Sequence, residues 1–276
     1  MPLTRRAAIK GMVATAVGAF TGAGAYGVAY ERHHIGLTEA TLPVTGLPPA
    51  LDGLRIGLIT DIHHSAMVPA EDVQAAIDLI TSAHPDLVVL GGDYVTWGDR
   101  AYVGPVADLL APLQAPNGVF AILGNHDDDR DMPAALIAKH IEVLKDARTR
   151  REIRGEGLEL AGIRFWTRKA SDIGRVLQRA HDTTILLAHD PRRLDEAAQF
   201  NVPAVLSGHT HGGQVVLPGV GALAHRRFPV LSGLGSRENT SMFVSRGVGT
   251  VYVPVRINCP PEVAVLTLRR RSDIDI

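Results

Sequence analysis

The chain has almost no cysteine: Cys259 is the only one in 276 residues. An intrachain disulfide is therefore excluded, and a zinc site built on thiolates is not expected. There is no excess of positive charge either. With 28 basic and 29 acidic residues the formal net charge is −1, so the electrostatic footprint of a nucleic-acid binder is missing and none is expected as a partner. No internal repeat, low-complexity tract or composition break marks a second domain. What remains is ordinary for a globular chain, with 46% hydrophobic residues in a length that can bury a full core.

The first thirty residues lack acid altogether. Thr4-Arg5-Arg6-Ala7-Ala8-Ile9-Lys10 precedes an uncharged run from Gly11 to Tyr30. A basic start, an apolar middle and the small-residue step Ala23-Gly24-Ala25 read as an export signal, and the paired arginines resemble a twin-arginine signal. A membrane anchor is the competing reading, because a run of about 20 uncharged residues can just span a bilayer. The five glycines in the run weaken a spanning helix. Residues 1–30 are thus expected to be a leader that engages the twin-arginine export machinery, with cleavage left open, and 31–276 a single domain. That route places the protein in the periplasm or on the outer face of the membrane, where the leader can associate with it.

From Leu54 onward the chain acquires a rhythm. Leu54–Thr60, Leu87–Leu90 and Val119–Leu123 are apolar, strand-like runs, each followed by a helical pattern. The first pattern opens at Pro69 with Val73, Ile77 and Ile80 on one face; Val103–Leu110 is the second. The third opens at Pro133 and continues through Leu136, Ile137, His140, Ile141 and Leu144. Alternating strands and helices predict βαβ units and a largely parallel sheet. An edge strand is expected around Leu37–Pro43 and a hairpin over Ile153–Leu160. Later, Thr184–Ala188 and Ala204–Leu206 read as strands, with Val215–Leu217, Met242–Ser245, Thr250–Val253 and Val263–Leu268 as short strands of a second, mixed or antiparallel sheet. The fold class is α/β with two sheets.

In parallel sheets ligands bind beyond the carboxyl ends of the strands. Asp61, Asp93 and Asn125 all sit there, each 32 residues from the next. His63 and His126 stand beside two of them, His189 follows the strand at 184–188, and His209 and His211 lie in Gly208-His209-Thr210-His211-Gly212-Gly213. One such histidine is weak evidence of a site, since a lone histidine is usually structural. A set of carboxylate, amide and imidazole at equivalent strand ends, with no sulfur, suits divalent Mn, Fe, Co or Zn. Seven ligands are too many for one ion and fit two that share a carboxylate.

Asp61-Ile62-His63, Gly92-Asp93, Gly124-Asn125-His126-Asp127, His189 and Gly208-His209-Thr210-His211, in this order and spacing, resemble the motifs of the calcineurin-like metallophosphoesterases. The resemblance spans roughly residues 54–268. The flanking Gly213-Gln214, Val244-Ser245-Arg246-Gly247 and Pro260-Pro261-Glu262 resemble its bacterial twin-arginine-exported phosphodiesterase branch. That branch is similar to some enzymes that split UDP-diacylglucosamine.

The resemblance implies a four-layer αββα sandwich. It implies one metal held by Asp61, His63 and His211, a second by Asn125, His189 and His209, and Asp93 bridging them. A hydroxide between the ions would attack phosphorus in line. His126 would face the phosphate as the catalytic residue, stabilising the transition state or protonating the leaving alkoxide. One departure stands out: Thr96 occupies the place of an acid that phosphatases of this family carry, which puts the usual acidic support of His126 in doubt and leaves Asp127 as a substitute.

Among the late loops Arg226, Arg227, Arg237 and Arg256 are candidates to meet a phosphate, with Arg237 and Arg256 singled out as substrate-binding residues. Trp97 and Trp166 are candidates for an apolar wall. The resulting function is an exported dinuclear-metal phosphoesterase acting on phosphodiester or pyrophosphate bonds, a diester ahead of a monoester. The alternatives are a membrane-surface hydrolase of a UDP-sugar lipid or phospholipid, and a metal-binding scaffold without catalysis. The substrate is a small-molecule or lipid phosphoester in either catalytic reading.

Overall fold

The strands of the chain sort into two six-stranded sheets according to which residues can be buried on both faces. The first sheet uses Gly36–Val44 (β1), Arg55–Ile59 (β2), Leu87–Leu90 (β3), Val119–Ala121 (β4) and Glu142–Val143 (β5). The second uses Ala147–Ile153 (β6), Glu156–Ile163 (β7), Thr183–Ala188 (β8) and Ala204–Ser207 (β9). A small ribbon, Val216–Leu217 (β10) with Gly221–Ala222 (β11), stands apart. Gly233–Arg237 (β12) and Thr240–Val244 (β13) return to the second sheet, and Glu262–Arg270 (β14) returns to the first. This is a computed structural model, and it describes residue 18 and residues 21–178, 180–222 and 228–271. The paired arginines of the leader, and Arg226 and Arg227, lie outside the described residues.

The sheet orders are β1-β14-β2-β3-β4-β5 and β12-β13-β9-β8-β7-β6. The stretch β2-β3-β4-β5 is parallel, and so is β13-β9-β8-β7. Helices cover the outer faces: Ala70–Ser82 (α2), Val103–Leu110 (α3) and Asp131–Ile137 (α4) on the first sheet, Ala170–Leu177 (α5) and Leu194–Gln199 (α6) on the second. Residues 21–29 (α1) are also helical. Because side chains alternate along a strand, each central strand feeds two cores. Val88 and Leu90 pack outward with Val73, Ile77 and Leu110. Leu87 and Val89 pack inward with Phe120, Leu160, Ile185, Leu206 and Phe243. Leu186 and Val205 pack against Ile173 and Leu194 on the far side. The result is helix, sheet, sheet, helix, as the α/β expectation required.

Four expectations need correction. Val215–Leu217 does not join the second sheet: Val216 and Leu217 pair with Ala222 and Gly221 in the separate ribbon β10–β11. The helix opened by Pro133 stops at Ile137 instead of reaching Leu144. His140 takes φ +62°, and Ile141 N–H donates to Leu136 O at 3.2 Å, so the chain turns out of the helix in a Schellman closure. Residues 250–253 are not a strand: Val253 N–H donates to Val251 O at 2.8 Å, a tight turn that no ladder can contain. The strand at Val263–Leu268 belongs to the first sheet, between β1 and β2 and antiparallel to β2. The hairpin is β6–β7, and its two turn residues, Arg154 (φ +55°) and Gly155 (φ +81°), have the left-handed pair that a two-residue hairpin turn needs.

The N-terminal segment from residue 21 onward is part of the packed structure. Gly27 in α1 is buried against the loop Val255-Arg256-Ile257, and a β-carbon there would lie 2.4 Å from Arg256 O. Glu31 is buried behind it and accepts Cys259 N–H at 2.7 Å.

A candidate metal centre at the meeting strand ends

The carboxyl ends of β2, β3 and β4 open toward the carboxyl ends of β8, β9 and β13. Backbone bonds tie the two outlets together. Gly208 N–H donates to His189 O at 3.2 Å, while Val248 and Gly249 N–H donate to Thr60 O and Asp61 O at 3.1 and 2.7 Å. Side chains that are far apart in sequence therefore share one small space.

Asp61, His63 and His211 bring ligand atoms within 4.8 Å of one another, and so do Asp93, His189 and His209. A third such group is His63, Asp93 and His126. Asp93 thus stands in the middle: its Oδ2 lies 3.1 Å from His189 Nε2 and 3.5 Å from His63 Nε2. His211 Nε2 is 3.2 Å from His63 Nε2 and 3.5 Å from Asp61 Oδ1. Five of these residues, Asp61, His63, Asp93, His209 and His211, hold φ between +50° and +72°. Non-glycine residues rarely sit there, and such backbone collects where a site is held open by its surroundings.

Tautomers follow from the supporting bonds. His189 Nδ1 donates to Gly91 O at 2.8 Å, which turns Nε2 to the Asp93 carboxylate, where a proton or a metal ion can sit between them. His63 Nδ1 lies 3.3 Å from the Thr96 hydroxyl, whose own proton points to His63 O, so its Nε2 is also free to ligate. His189 Nε2 and Asn125 Oδ1 are buried without a hydrogen-bond partner among the described residues. A buried imidazole nitrogen facing carboxylates, as His189 Nε2 does, is what a cation site requires. The donor set therefore fits divalent metal.

Electrostatics agree. Burial pushes His63 down to about 3, and burial with the neighbouring His189 pushes His209 down to about 4. Burial raises the Asp61 carboxyl to about 6. Burial opposes charge on His189, yet the carboxylates of Asp93 and Asp61 outweigh it and lift the imidazole to about 10. Burial also works against the Asp93 carboxylate, but His189 and His63 overcome it and hold its pKa low. Positive charge is favoured between Asp93 and His189.

His126 differs from the other histidines. Its Nδ1 accepts the backbone N–H of Trp97 at 3.0 Å. The neutral ring then carries its proton on Nε2, as a donor and not a ligand. Asp127 does not support it. The Asp127 carboxylate accepts N–H bonds from Asp93, Tyr94 and Gly124 at 2.7–2.8 Å and so pins two motif backbones together. Nor does Thr96, which serves His63. A backbone donor leaves no trace in residue identity, so motif reading misses it.

The two arginines expected at the substrate are elsewhere. Arg256 is fully buried, and its guanidinium is spent on the carbonyls of Gly249, Arg246, Gly247 and Cys259 at 2.6–3.2 Å. It clamps the loops behind His211. Arg237 pairs with Thr240 at the start of β13, the end opposite the site, and meets Asp195 at 3.4 Å. Trp97 and Trp166 are both exposed; Trp97 leans on His126 at an interplanar angle of 55° with ring centroids 4.5 Å apart, and Trp166 packs edge-on against Phe165.

Gly124 shows how little slack the site has. A β-carbon there would lie 2.1 Å from Asp93 Oδ1 and 2.6 Å from Asp93 N. Gly124→Ala must therefore push Asp93 out of register. We expect Mn²⁺ affinity, read by calorimetric titration, to fall about 10–100-fold; an unchanged Kd would show that Asp93 tolerates displacement.

Comparison with known proteins agrees with this geometry. The model of the calcineurin-like phosphoesterases matches residues 54–213. The chain is 33% identical to the uncharacterized metallophosphoesterase YkuE of Bacillus subtilis, over 97% of this chain and 98% of that one. It is 31% identical to the phosphodiesterase YaeI of Escherichia coli, over 78% and 82% respectively. Among solved structures, a 5'-nucleotidase precursor from Thermus thermophilus superposes with a TM-score of 0.50 at 13% identity, over 71% of this chain and 49% of that one, a likeness of fold. With its two mixed sheets and a clustered Asp/His ligand set at their outlets, the chain belongs to the calcineurin-like phosphoesterases, a family of metal-dependent phosphoester hydrolases.

Proposed function

We propose that this protein is an exported phosphodiesterase that works with two divalent ions sharing Asp93. The observation that carries the reading is the pair of ligand groups meeting at that residue, Asp61–His63–His211 on one side and Asp93–His189–His209 on the other. Asn125, whose buried Oδ1 has no hydrogen-bond partner among the described residues, completes the second group in this reading. Bound there, divalent ions supply Lewis-acid polarisation of the phosphoryl group and a nucleophilic water at neutral pH.

The chain's own residues do the rest. Thr60 Oγ donates to Asp61 Oδ2 at 2.8 Å and His209 N–H donates to both Asp61 oxygens at 3.0 Å, which orients that carboxylate. His126 N–H holds Asp93 Oδ1 at 2.8 Å, leaving Oδ2 for the centre. His126 Nε2–H is the donor left for a phosphate oxygen or the departing alkoxide. The diester preference is supported by the likeness to YaeI, and export by the paired arginines and uncharged run of residues 5–30. A scaffold without catalysis is disfavoured because the sequence lacks none of the ligand-type residues or the histidine of Gly124-Asn125-His126.

The test is turnover of the purified full-length protein on bis(p-nitrophenyl) phosphate and p-nitrophenyl phosphate, with Mn²⁺, Zn²⁺ or chelator. Diester cleavage abolished by chelator and exceeding monoester cleavage is expected. Monoester cleavage alone would move the function to a phosphatase, and metal-loaded protein inert on every diester would sink the reading.

A further inference from the structure

His209 and His211 form one end of a trough of about 340 Å³ whose other walls include Gln214, Phe228, Val251, Tyr252 and Val253. That volume suits a small ligand group. The polar side-chain groups of Gln214 and Thr210 in the wall are already spent. Gln214 donates its amide to Val251 O and Val253 O at 3.2 and 2.9 Å and accepts Val251 N–H at 3.0 Å. Thr210 Oγ donates to Leu231 O at 2.6 Å and accepts Gly212 N–H at 3.2 Å. Among the described residues, the wall beyond the two histidines therefore presents hydrocarbon apart from the hydroxyl of the exposed Tyr252.

The rim is apolar as well. Trp97 and Tyr252 meet at 5.4 Å between ring centroids, yet remain 67% and 72% exposed; Val253 is 49% exposed. Both aromatics hold left-handed backbone, φ +54° and +65°, which bulky residues seldom adopt unless their surroundings enforce it. Large apolar side chains held out of the core beside a site mark a surface for an apolar ligand. A nucleoside or sugar here would bury donors and acceptors without partners, whereas a hydrocarbon chain has none to satisfy. The same loop also meets the uncharged N-terminal segment. At 255–257 it packs on Gly27 of α1, whose neighbours Tyr26, Val28 and Tyr30 are exposed.

Resting on the phosphodiesterase reading, we propose that the trough binds the alkyl or acyl chain of an amphiphilic phosphodiester whose phosphate lies over the Asp93 cluster. The test uses full-length protein with Mn²⁺ and monomeric methyl, butyl and octyl p-nitrophenyl phosphodiesters. Each methylene buried in hydrocarbon is worth roughly threefold in kcat/KM, so octyl should exceed methyl by at least about thirtyfold. Val253→Asp puts a charge in the wall while leaving the backbone bonds to Gln214 intact, and should bring that ratio close to one. A flat series in which every member is still cleaved in a chelator-sensitive way would overturn the inference and leave the phosphodiesterase reading standing. So would preference for thymidine 5'-p-nitrophenyl phosphate over the octyl ester, which would assign the trough to a base. No cleavage of any member would overturn both.

Discussion

Replacing Asp93 by asparagine is expected to strip the centre of both ions and to lower diester turnover by about 10²–10⁴-fold, the several kcal/mol of charge stabilisation that metal supplies. The substitution is nearly isosteric at a position 1% exposed, so packing is preserved and the effect is chemical. Asp93 uses both oxygens. Oδ1 accepts His126 N–H at 2.8 Å, and Oδ2 faces the Nε2 atoms of His189 and His63 at 3.1 and 3.5 Å. An amide has one acceptor oxygen. If that oxygen keeps His126 N–H, the amide NH₂ points at the imidazole lone pairs and occupies the place of a cation. If it turns the other way, NH₂ opposes His126 N–H and displaces the loop that carries His126. Either orientation costs the centre, and loss should reach both ligand groups because one residue serves both. Metal content by mass spectrometry, beside an unaltered melting profile, checks this. A D93N variant that retains two ions and its turnover would show that Asp93 does not join the groups.

The spacing of Asp61, Asp93 and Asn125 made the first half of the site legible. Each follows a short apolar run, and β2, β3 and β4 are parallel neighbours, so their ends must lie side by side. The histidines of the second half were legible only as strand ends. That β8 and β9 open onto the same space as β2 and β3 depends on how two sheets stack through Leu87, Phe120, Leu187 and Leu206, and residue pattern specifies burial there without specifying the partner face. Arg256 escaped for a different reason. A charged loop residue is ordinarily solvated, and only a shell of backbone carbonyls, supplied by Gly249, Arg246, Gly247 and Cys259, makes its full burial tolerable. The hydrocarbon character of the trough was hidden likewise, because Gln214 and Thr210 look polar in sequence and are neutralised only by the backbone groups they bind.

His126→Ala is expected to leave the metal content intact and to lower diester turnover by about 10²–10⁴-fold. The two readouts separate because His126 stands at the edge of the ligand set with its ring already committed. Trp97 N–H occupies Nδ1 at 3.0 Å, so Nε2 bears hydrogen and serves as a donor. In His189 and His63 Nδ1 is satisfied by an oxygen, the Gly91 carbonyl and the Thr96 hydroxyl, and Nε2 is left free, while His211 Nδ1 lies 3.5 Å from Arg256 Nη2. For His189, His63 and His126 the same residue type is thus set as ligand or donor by which backbone or hydroxyl group meets Nδ1. Burial lowers the proton affinity of the His126 ring, outweighing the Asp93 carboxylate that favours its positive form, and the positive His189 nearby opposes that form too. His126 therefore acts chiefly by hydrogen bonding to charge on the phosphoryl or leaving oxygen. His126→Gln, which keeps an N–H donor at similar reach, should restore part of the turnover lost in His126→Ala, most visibly on diesters with good leaving groups that need no proton. Loss of an ion in His126→Ala would instead place His126 among the ligands, as its membership of a third cluster with His63 and Asp93 permits.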